Sequence, residues 1–161
     1  TLEAIGGNVI GAPQIEAFPD YIRDSGWKDP SGISEAMRQS DIIVMPSRWE
    51  GFGFVDAEAM RAGRPIVATN VGGLSELVVD GETGVLCEPN SSRSIIDGVM
   101  RLSSMELSSI GSNARLRYER FFSAREMSSK INDIYMNVTT RPTDTSIKID
   151  THDTENAKYI R

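Results

Sequence analysis

The sequence predicts an α/β domain with a Rossmann-like parallel sheet flanked by helices, and two observations lead to this fold class. First, short apolar runs, as in residues 41–45 and 65–69, alternate with segments of helical period. Runs that are apolar throughout are typical of parallel strands buried on both faces. Second, the glycine turns Gly51-Phe52-Gly53 and Gly72-Gly73 follow two of these runs. Strand, glycine turn and helix is the order found in nucleotide-binding α/β proteins.

The elements before residue 40 are short. Residues 1–7 predict a buried strand that ends in glycines. Residues 13–25 are a candidate helix, which Pro19 weakens because proline has no backbone N–H to donate. Residues 31–39 predict a short helix, with Ser34 as its N-cap if the helix begins late.

The pattern is more regular from residue 41 onward. Pro46 ends the first strand of this part, and Gly63 is the expected left-handed terminator of the helix that follows. Ser123 is the expected cap of the last helix. In chain order, the predicted elements are a strand at 41–45, a helix at 52–62, a strand at 65–69, a helix at 75–79, a strand at 85–87, and helices at 89–102, 106–121 and 123–138.

The chain of 161 residues predicts one domain, residues 1–139, followed by a polar, turn-rich tail at 140–161 that we expect to be disordered. It begins without Met and directly in a predicted strand, so we expect an N-terminally truncated fragment. The net charge of −6 argues against a nucleic-acid groove and against contact with an anionic membrane through this part. The sequence contains no run of 18 apolar residues, so no membrane span is predicted. The single cysteine, Cys87, fits a reducing compartment.

The candidate site lies where the carboxyl ends of parallel strands meet. Three segments are expected to converge there, residues 5–11, 46–53 and 69–75. Glycines allow a backbone to approach a ligand closely, and the amides that open a helix favour phosphate. A plain turn between strand and helix is the alternative for Gly51-Phe52-Gly53. The amides of residues 73–75 are a second candidate anion site.

Glu50 and Glu58, with seven residues between them, are the candidate ligands for sugar hydroxyls. A carboxylate accepts hydrogen bonds at two oxygens and suits a vicinal diol. Helical rise separates the two by roughly 10 Å, which allows one to hold a ribose and the other a transferred sugar. The alternative for Glu58 is a solvated helix position. Glu76 is either a ligand contact or a carboxylate that stabilises the start of its helix.

Other chemistries find little support in the sequence. The only histidine, His152, lies in the tail, and the neighbouring Asp150 and Asp153 are expected to be solvated and not to bind a metal. Cys87 is expected to be a small core residue. Gly6-Gly7 lacks the full glycine fingerprint of a dinucleotide site, so a nicotinamide cofactor is not favoured.

Taken together, the motifs resemble the C-terminal domain of retaining GT-B glycosyltransferases of family 4. The resemblance covers about residues 41–135 and is looser over 1–39. It therefore implies the C-terminal half of a GT-B fold. The motifs are Pro46-Ser47, Glu50-Gly-Phe-Gly-Phe-Val55, Glu58-Ala-Met60, Gly63-Arg-Pro-Ile-Val-Ala-Thr-Asn-Val-Gly-Gly73, Glu76-Leu-Val78 and Gly81-Glu-Thr-Gly-Val-Leu86.

The resemblance implies transfer of a sugar from a nucleotide-sugar to an acceptor, with retention at the anomeric carbon and without a metal or other cofactor. Glu50 would be the catalytic candidate, in contact with the donor sugar. Glu58 would hold the ribose hydroxyls. The other donor-binding positions implied are Gly51, Phe52, Gly53, Phe54, Gly72 and Gly73.

The family's N-terminal, acceptor-binding domain is missing from these residues, and so are the Arg and Lys near the start of its C-terminal domain that neutralise the pyrophosphate. We therefore expect residues 123–138 to expose an apolar face. The expected location is cytoplasmic, with any attachment to a membrane made through the missing domain. Two alternatives stay open, a non-catalytic or decayed GT-B module and another GT-B enzyme such as a nucleotide-sugar epimerase.

Overall fold

The computed structural model describes residues 1–7 and 18–139, in which strands alternate with helices. The prediction of a disordered tail at 140–161 and the first part of the candidate helix at 13–25 lie outside the described residues. In chain order, the elements are β1 (Leu2–Ala4), β2 (Ile22–Asp24), α1 (Pro30–Gln39), β3 (Ile43–Met45), α2 (Phe54–Arg61), β4 (Ile66–Thr69), α3 (Leu74–Leu77), β5 (Gly84–Cys87), α4 (Ser92–Ser103), α5 (Leu107–Phe121) and α6 (Ala124–Thr139).

All strand pairs among these elements are parallel. The strands β3, β4 and β5 form a sheet in chain order, with Ile43 opposite Ile66 and Ile66 opposite Gly84. The strands β1 and β2 form a separate two-stranded sheet, in which Leu2 lies opposite Ile22. Parallel neighbours need a crossover connection, and helices supply it between β3 and β5. The predicted α/β fold with a parallel sheet flanked by helices is confirmed.

The structure corrects three predictions near the N-terminus. Residues 22–24 were predicted within a helix, but they form β2, because pairing with β1 satisfies their backbone groups. The strand β1 was predicted to be buried, but Leu2 is 51% exposed, with β2 as its described neighbour. The N-cap of α1 is Asp29 and not Ser34, since the Asp29 carboxylate accepts the Gly32 N–H at 2.7 Å.

Later helix ends follow their predicted signals. Gly63 adopts a φ of +70°, and the Gly63 and Arg64 N–H groups donate to the carbonyls of Met60 and Ala59, as in a glycine C-cap. The Ser123 hydroxyl accepts the Glu126 N–H and caps α6. From β3 onward, the other boundaries lie within three residues of the predicted ones, and one or two residues is the usual uncertainty of a helix end.

The core lies on both faces of the β3–β4–β5 sheet. On one face, α1, α2, α3 and α5 pack over Ile66 and Ala68 of β4. On the other face, α4 packs over Val67, as the alternation of side chains along a strand requires. Cys87 lies in this second cluster, so its predicted core role is confirmed, and burial raises the pKa of its thiol.

The loops that follow β3 and β4 are in direct backbone contact. The Gly73 N–H donates to the Glu50 carbonyl at 3.4 Å, and the Thr69 hydroxyl donates to the Ser47 carbonyl at 2.5 Å. A Cβ at Gly72 would lie 1.9 Å from the Glu50 carbonyl oxygen, and one at Gly73 would lie 2.5 Å from that of Phe52. Only glycine fits such an approach, so these two residues determine the spacing of the loops.

Asp56, in the first turn of α2, is fully buried. Within the described part of the chain, neither of its carboxylate oxygens has a hydrogen-bond partner on another residue. Burial raises the pKa of Asp56 from 3.8 to about 7, the charge of Glu50 adds to this rise, and the backbone N–H of Asp56 opposes it. A carboxyl without partners is less costly to bury in its neutral form.

The helix α6 has no buried residue. One of its faces carries exposed apolar side chains at helical spacing, namely Met127, Ile131, Ile134, Tyr135 and Val138. The expected apolar face is therefore exposed. Over residues 1–7 and 18–139, no helix combines the length and the apolar composition needed to cross a bilayer.

We expect Gly73→Ala to lower the free energy of unfolding by about 1 to 3 kcal/mol, because the new methyl group would force the two loops apart. Gly51→Ala is the matched control, since the nearest atom to its Cβ, in Trp49, lies 3.7 Å away. Urea unfolding followed by circular dichroism measures both variants. Equal stability of the two would contradict the close packing at Gly73.

We also expect the free energy of unfolding to fall as the pH rises from about 4 to about 7, because over this range Asp56 loses its proton in the unfolded chain but keeps it in the folded core. Because the pKa of Asp56 is higher in the folded state, its contribution to the free energy of unfolding is fully present below the pKa of the unfolded state. It is lost above the pKa of the folded state. The loss is at most about 4 kcal/mol.

Asp56→Asn should remove this part of the pH dependence, while Asp133→Asn, at an exposed position of α6, should keep it. Urea unfolding at pH 5 and at pH 8.5 measures the difference. Parallel pH profiles for wild type and Asp56→Asn would show that the buried carboxyl is not responsible.

Candidate functional site

The candidate site lies at the carboxyl edge of the β3–β4–β5 sheet. The loop after β3 carries Glu50, and the loop after β4 carries Gly72 and Gly73. Because neighbouring parallel strands end at the same edge, both loops open there. The Gly73–Glu50 contact brings together six of the predicted residues, which are Glu50, Gly51, Phe52, Gly53, Gly72 and Gly73.

Glu50 is half-buried, and its backbone carbonyl is held by Gly73. Its charge is close enough to Asp56 to contribute to the raised pKa of that residue. Two carboxyl groups therefore lie near the start of α2. Burial holds the pKa of Asp56 well above the usual range of an aspartate, which favours the neutral form of this carboxyl.

Gly53 is buried and adopts a φ of +94° as the N-cap of α2. A Cβ there would lie 2.6 Å from Leu74 Cδ2 and 2.9 Å from Leu77 Cδ1, so this glycine lets α2 and α3 pack together. Within the described residues, no side chain caps α2. The amides of its first turn, including that of Phe54, therefore stay available to an anion.

Glu58 lies one turn further along α2 and is exposed. It lines a groove of about 320 Å³ bounded by α1, α2 and α5. Arg38, Arg61 and Arg115 also line this groove. Arg38 pairs with Glu35 and Arg115 with Glu119 on their own helices. Glu58 thus shares a groove with three arginines, two of which are paired with other carboxylates.

The second candidate anion site, the amides of residues 73–75, does not form. The Gly73, Leu74 and Ser75 N–H groups donate to the carbonyls of Glu50, Val71 and Gly72 respectively. These three N–H groups already donate to backbone carbonyls of the protein. Gly72 and Gly73 allow the close contact between the two loops. Glu76 is exposed in the first turn of α3, where a negative charge stabilises the helix start.

The first of the three converging segments is described only in part. The Gly6 N–H donates to the Gly26 carbonyl at 2.9 Å, and Gly7 lies directly against the Trp27 ring. These contacts lie next to β1 and β2. Residues 8–11 and His152 lie outside the described residues. In the described part, no three His, Cys, Asp or Glu side chains are grouped as for a metal ion.

Sequence reasoning missed four residues near this edge. Asp56 lies inside the motif but carried no signal of its burial. Thr69 ends a strand, and only the fold shows its bond to Ser47. Phe122, the C-cap of α5, contacts the ring of Phe52, and Arg117 of α5 contacts the end of α3, both across long stretches of sequence. The groove arginines Arg38 and Arg115 likewise come from distant helices.

Comparison with known proteins agrees with this geometry. The family model described as "Glycosyl transferases group 1" matches residues 7–119. A curated relative, the D-inositol 3-phosphate glycosyltransferase of Paenarthrobacter aurescens (strain TC1), is 55% identical over 91 residues, which cover 51% of this chain and 22% of the relative. The chain spans a third or less of the length of the first curated relatives that it matches.

Solved structures show the same fold. The sucrose-phosphate synthase from Thermosynechococcus elongatus matches with a TM-score of 0.68 and 27% identity, over 74% of this chain and 31% of that one. The Anabaena protein HepE, solved in complex with UDP and glucose, matches with a TM-score of 0.66 and 26% identity, over 73% and 32%. The fold is that of a GT-B glycosyltransferase C-terminal domain. On the strength of the family match over residues 7–119, this chain belongs to the glycosyl transferases group 1 family.

Proposed function

We propose that this chain is the donor-binding domain of a retaining glycosyltransferase, which transfers a sugar from a nucleotide-sugar to an acceptor. The observation that carries the proposal is the position of Glu50. It stands on a loop held by Gly73, at the carboxyl edge of the parallel sheet and directly before the uncapped start of α2. The UDP and glucose in the HepE structure support a nucleotide-sugar as the ligand class.

The proposed roles follow from the chemistry of each group. The Glu50 carboxylate accepts hydrogen bonds from hydroxyls of the donor sugar. The amides of Gly51, Phe52, Gly53 and Phe54 donate to the sugar or to a phosphate oxygen. Glu58, on the second turn of α2, accepts from the ribose hydroxyls.

Catalysis in this proposal rests on electrostatic stabilisation. As the bond between sugar and phosphate breaks, negative charge develops on the leaving phosphate. Amides that are already fixed in place stabilise that charge without reorganising, which lowers the barrier. Asp56 supports this by staying neutral below pH 7, since a second carboxylate beside Glu50 would repel the anionic donor. The proposal requires no metal ion or other cofactor.

The acceptor site is proposed to lie on an N-terminal domain, and the remaining phosphate contacts near the start of the C-terminal domain, both outside these residues. The matched region makes up a third or less of the length of the first curated relatives. The exposed apolar face of α6 fits a helix that is covered in a longer protein.

We expect Glu58→Gln to weaken the binding of UDP to this chain by about tenfold or more, because a charged acceptor of hydrogen bonds is lost. Glu50→Gln should bind UDP nearly as tightly as wild type, since Glu50 contacts the sugar and not the nucleotide. Glu106→Gln, at an exposed carboxylate before α5, is the matched control. Titration calorimetry measures the three affinities.

In the full-length protein, Glu50→Gln should reduce sugar transfer by about a hundredfold or more, with a smaller change in the KM for the donor. A panel of nucleotide-sugars first identifies the donor of the wild type, and release of the nucleoside diphosphate reports turnover. Wild-type turnover by both Glu50→Gln and Glu58→Gln would refute the assignment.

A further inference from the structure

We propose that the C-terminal end of α5 positions the donor site, with Phe122 holding the loop that carries Glu50 and Arg117 holding the helix that follows Gly72 and Gly73. The inference rests on the proposed function, because that function makes these two loops the donor site. Neither residue belongs to the motif, and neither is expected to touch the donor. Both are positioning residues.

Phe122 acts on the first loop through an aromatic contact. Its ring lies edge-on to that of Phe52, with centroids 6.1 Å apart and an interplanar angle of 62°. Phe52 makes a second edge contact with Phe54 at 5.1 Å, so its ring lies between two others. Aromatic pairs of this geometry are favourable. Since the Phe52 backbone lies against Gly73, contacts on both sides hold this residue in place.

Arg117 acts on the second loop through hydrogen bonds. Its Nε donates to the Leu77 carbonyl at 2.9 Å, and its Nη2 donates to the Glu76 carbonyl at 2.7 Å. These carbonyls belong to the last turn of α3, where a helix has no partner of its own for them. Because α3 has only four residues, the two bonds hold much of its backbone.

The two contacts are joined to each other. The Arg117 guanidinium lies 5.5 Å from the centre of the Phe122 ring, within the range of a cation–π contact. The helix α3 begins at Leu74, directly after Gly73, and Leu74 packs beneath Gly53. A shift at the end of α5 is therefore transmitted to both loops, on which the proposed donor contacts depend.

Phe121 offers a matched control. It is the neighbour of Phe122 and also lies beneath the Arg117 guanidinium, at 5.3 Å, but its ring pairs with Phe122 and not with Phe52. Phe121→Leu and Phe122→Leu therefore remove the same chemical group from adjacent positions. Only the second variant breaks the contact with the donor loop.

UDP is the probe, and heteronuclear NMR of the 161-residue chain is the measurement. Without ligand, Phe122→Leu should shift the amide signals of residues 51–53 and 72–73, whereas Phe121→Leu should leave them in place. Phe122→Leu should then bind UDP about fivefold more weakly, and Phe121→Leu within about twofold of wild type. Phe122→Tyr, which keeps the ring, should restore both properties.

Two further variants keep the test decisive if Phe122→Leu folds poorly. Arg117→Lys keeps the charge but not the planar fork, so it should shift the amides of residues 72–73 and weaken UDP binding similarly. In a double-mutant cycle, Phe52→Leu and Phe122→Leu should be non-additive for UDP binding, because they remove the same contact.

The inference is overturned if Phe122→Leu and Arg117→Lys bind UDP as tightly as wild type and leave the amides of both loops unshifted. Failure of the proposed function is a different result. If wild type itself does not bind UDP or GDP, that function and this inference fail together, even where the unliganded amide shifts confirm the contact.

Discussion

The backbone of Gly73 lies directly against the carbonyls of Gly51 and Phe52, and the arrangement of the candidate site depends on this approach. No side chain fits between the two segments, so the loops after β3 and β4 have one possible spacing. That spacing sets the height of Glu50 above the sheet and brings Leu74 beneath Gly53. The site is therefore a product of packing between loops as much as of the strands that carry them.

Much of the fold could be predicted because its signals are local. Apolar runs predicted β3, β4 and β5, and Gly63 predicted the end of α2 where the structure places it. The strand β2 was missed because its three residues gain their strand conformation from β1, about twenty residues earlier. A sequence pattern of so few positions cannot distinguish a strand from a helical turn.

The site was predicted unevenly for the same reason. Glu50 and the Gly51–Gly53 turn stand out in the sequence, yet the amides of residues 73–75 suggested an anion nest and instead donate to carbonyls within the protein. A glycine that admits another backbone and one that admits a ligand look alike in sequence. Phe122 and Arg117 gave no signal, because their contacts with Phe52 and Leu77 join residues at least forty positions apart.

The order of elements along the chain also bears on how the domain is made. The strands β3, β4 and β5 pair in the order of synthesis, but the face of the sheet that holds α2 is closed by Ala114 and Tyr118 of α5 and by Phe122, its C-cap. A nascent chain that has just completed β5 has its sheet but not this cover. The apolar side chains on the α2 face of the sheet stay exposed to water until α5 leaves the ribosome. Release of a nascent chain before that point would expose Met60 and Leu77 to chaperones and proteases.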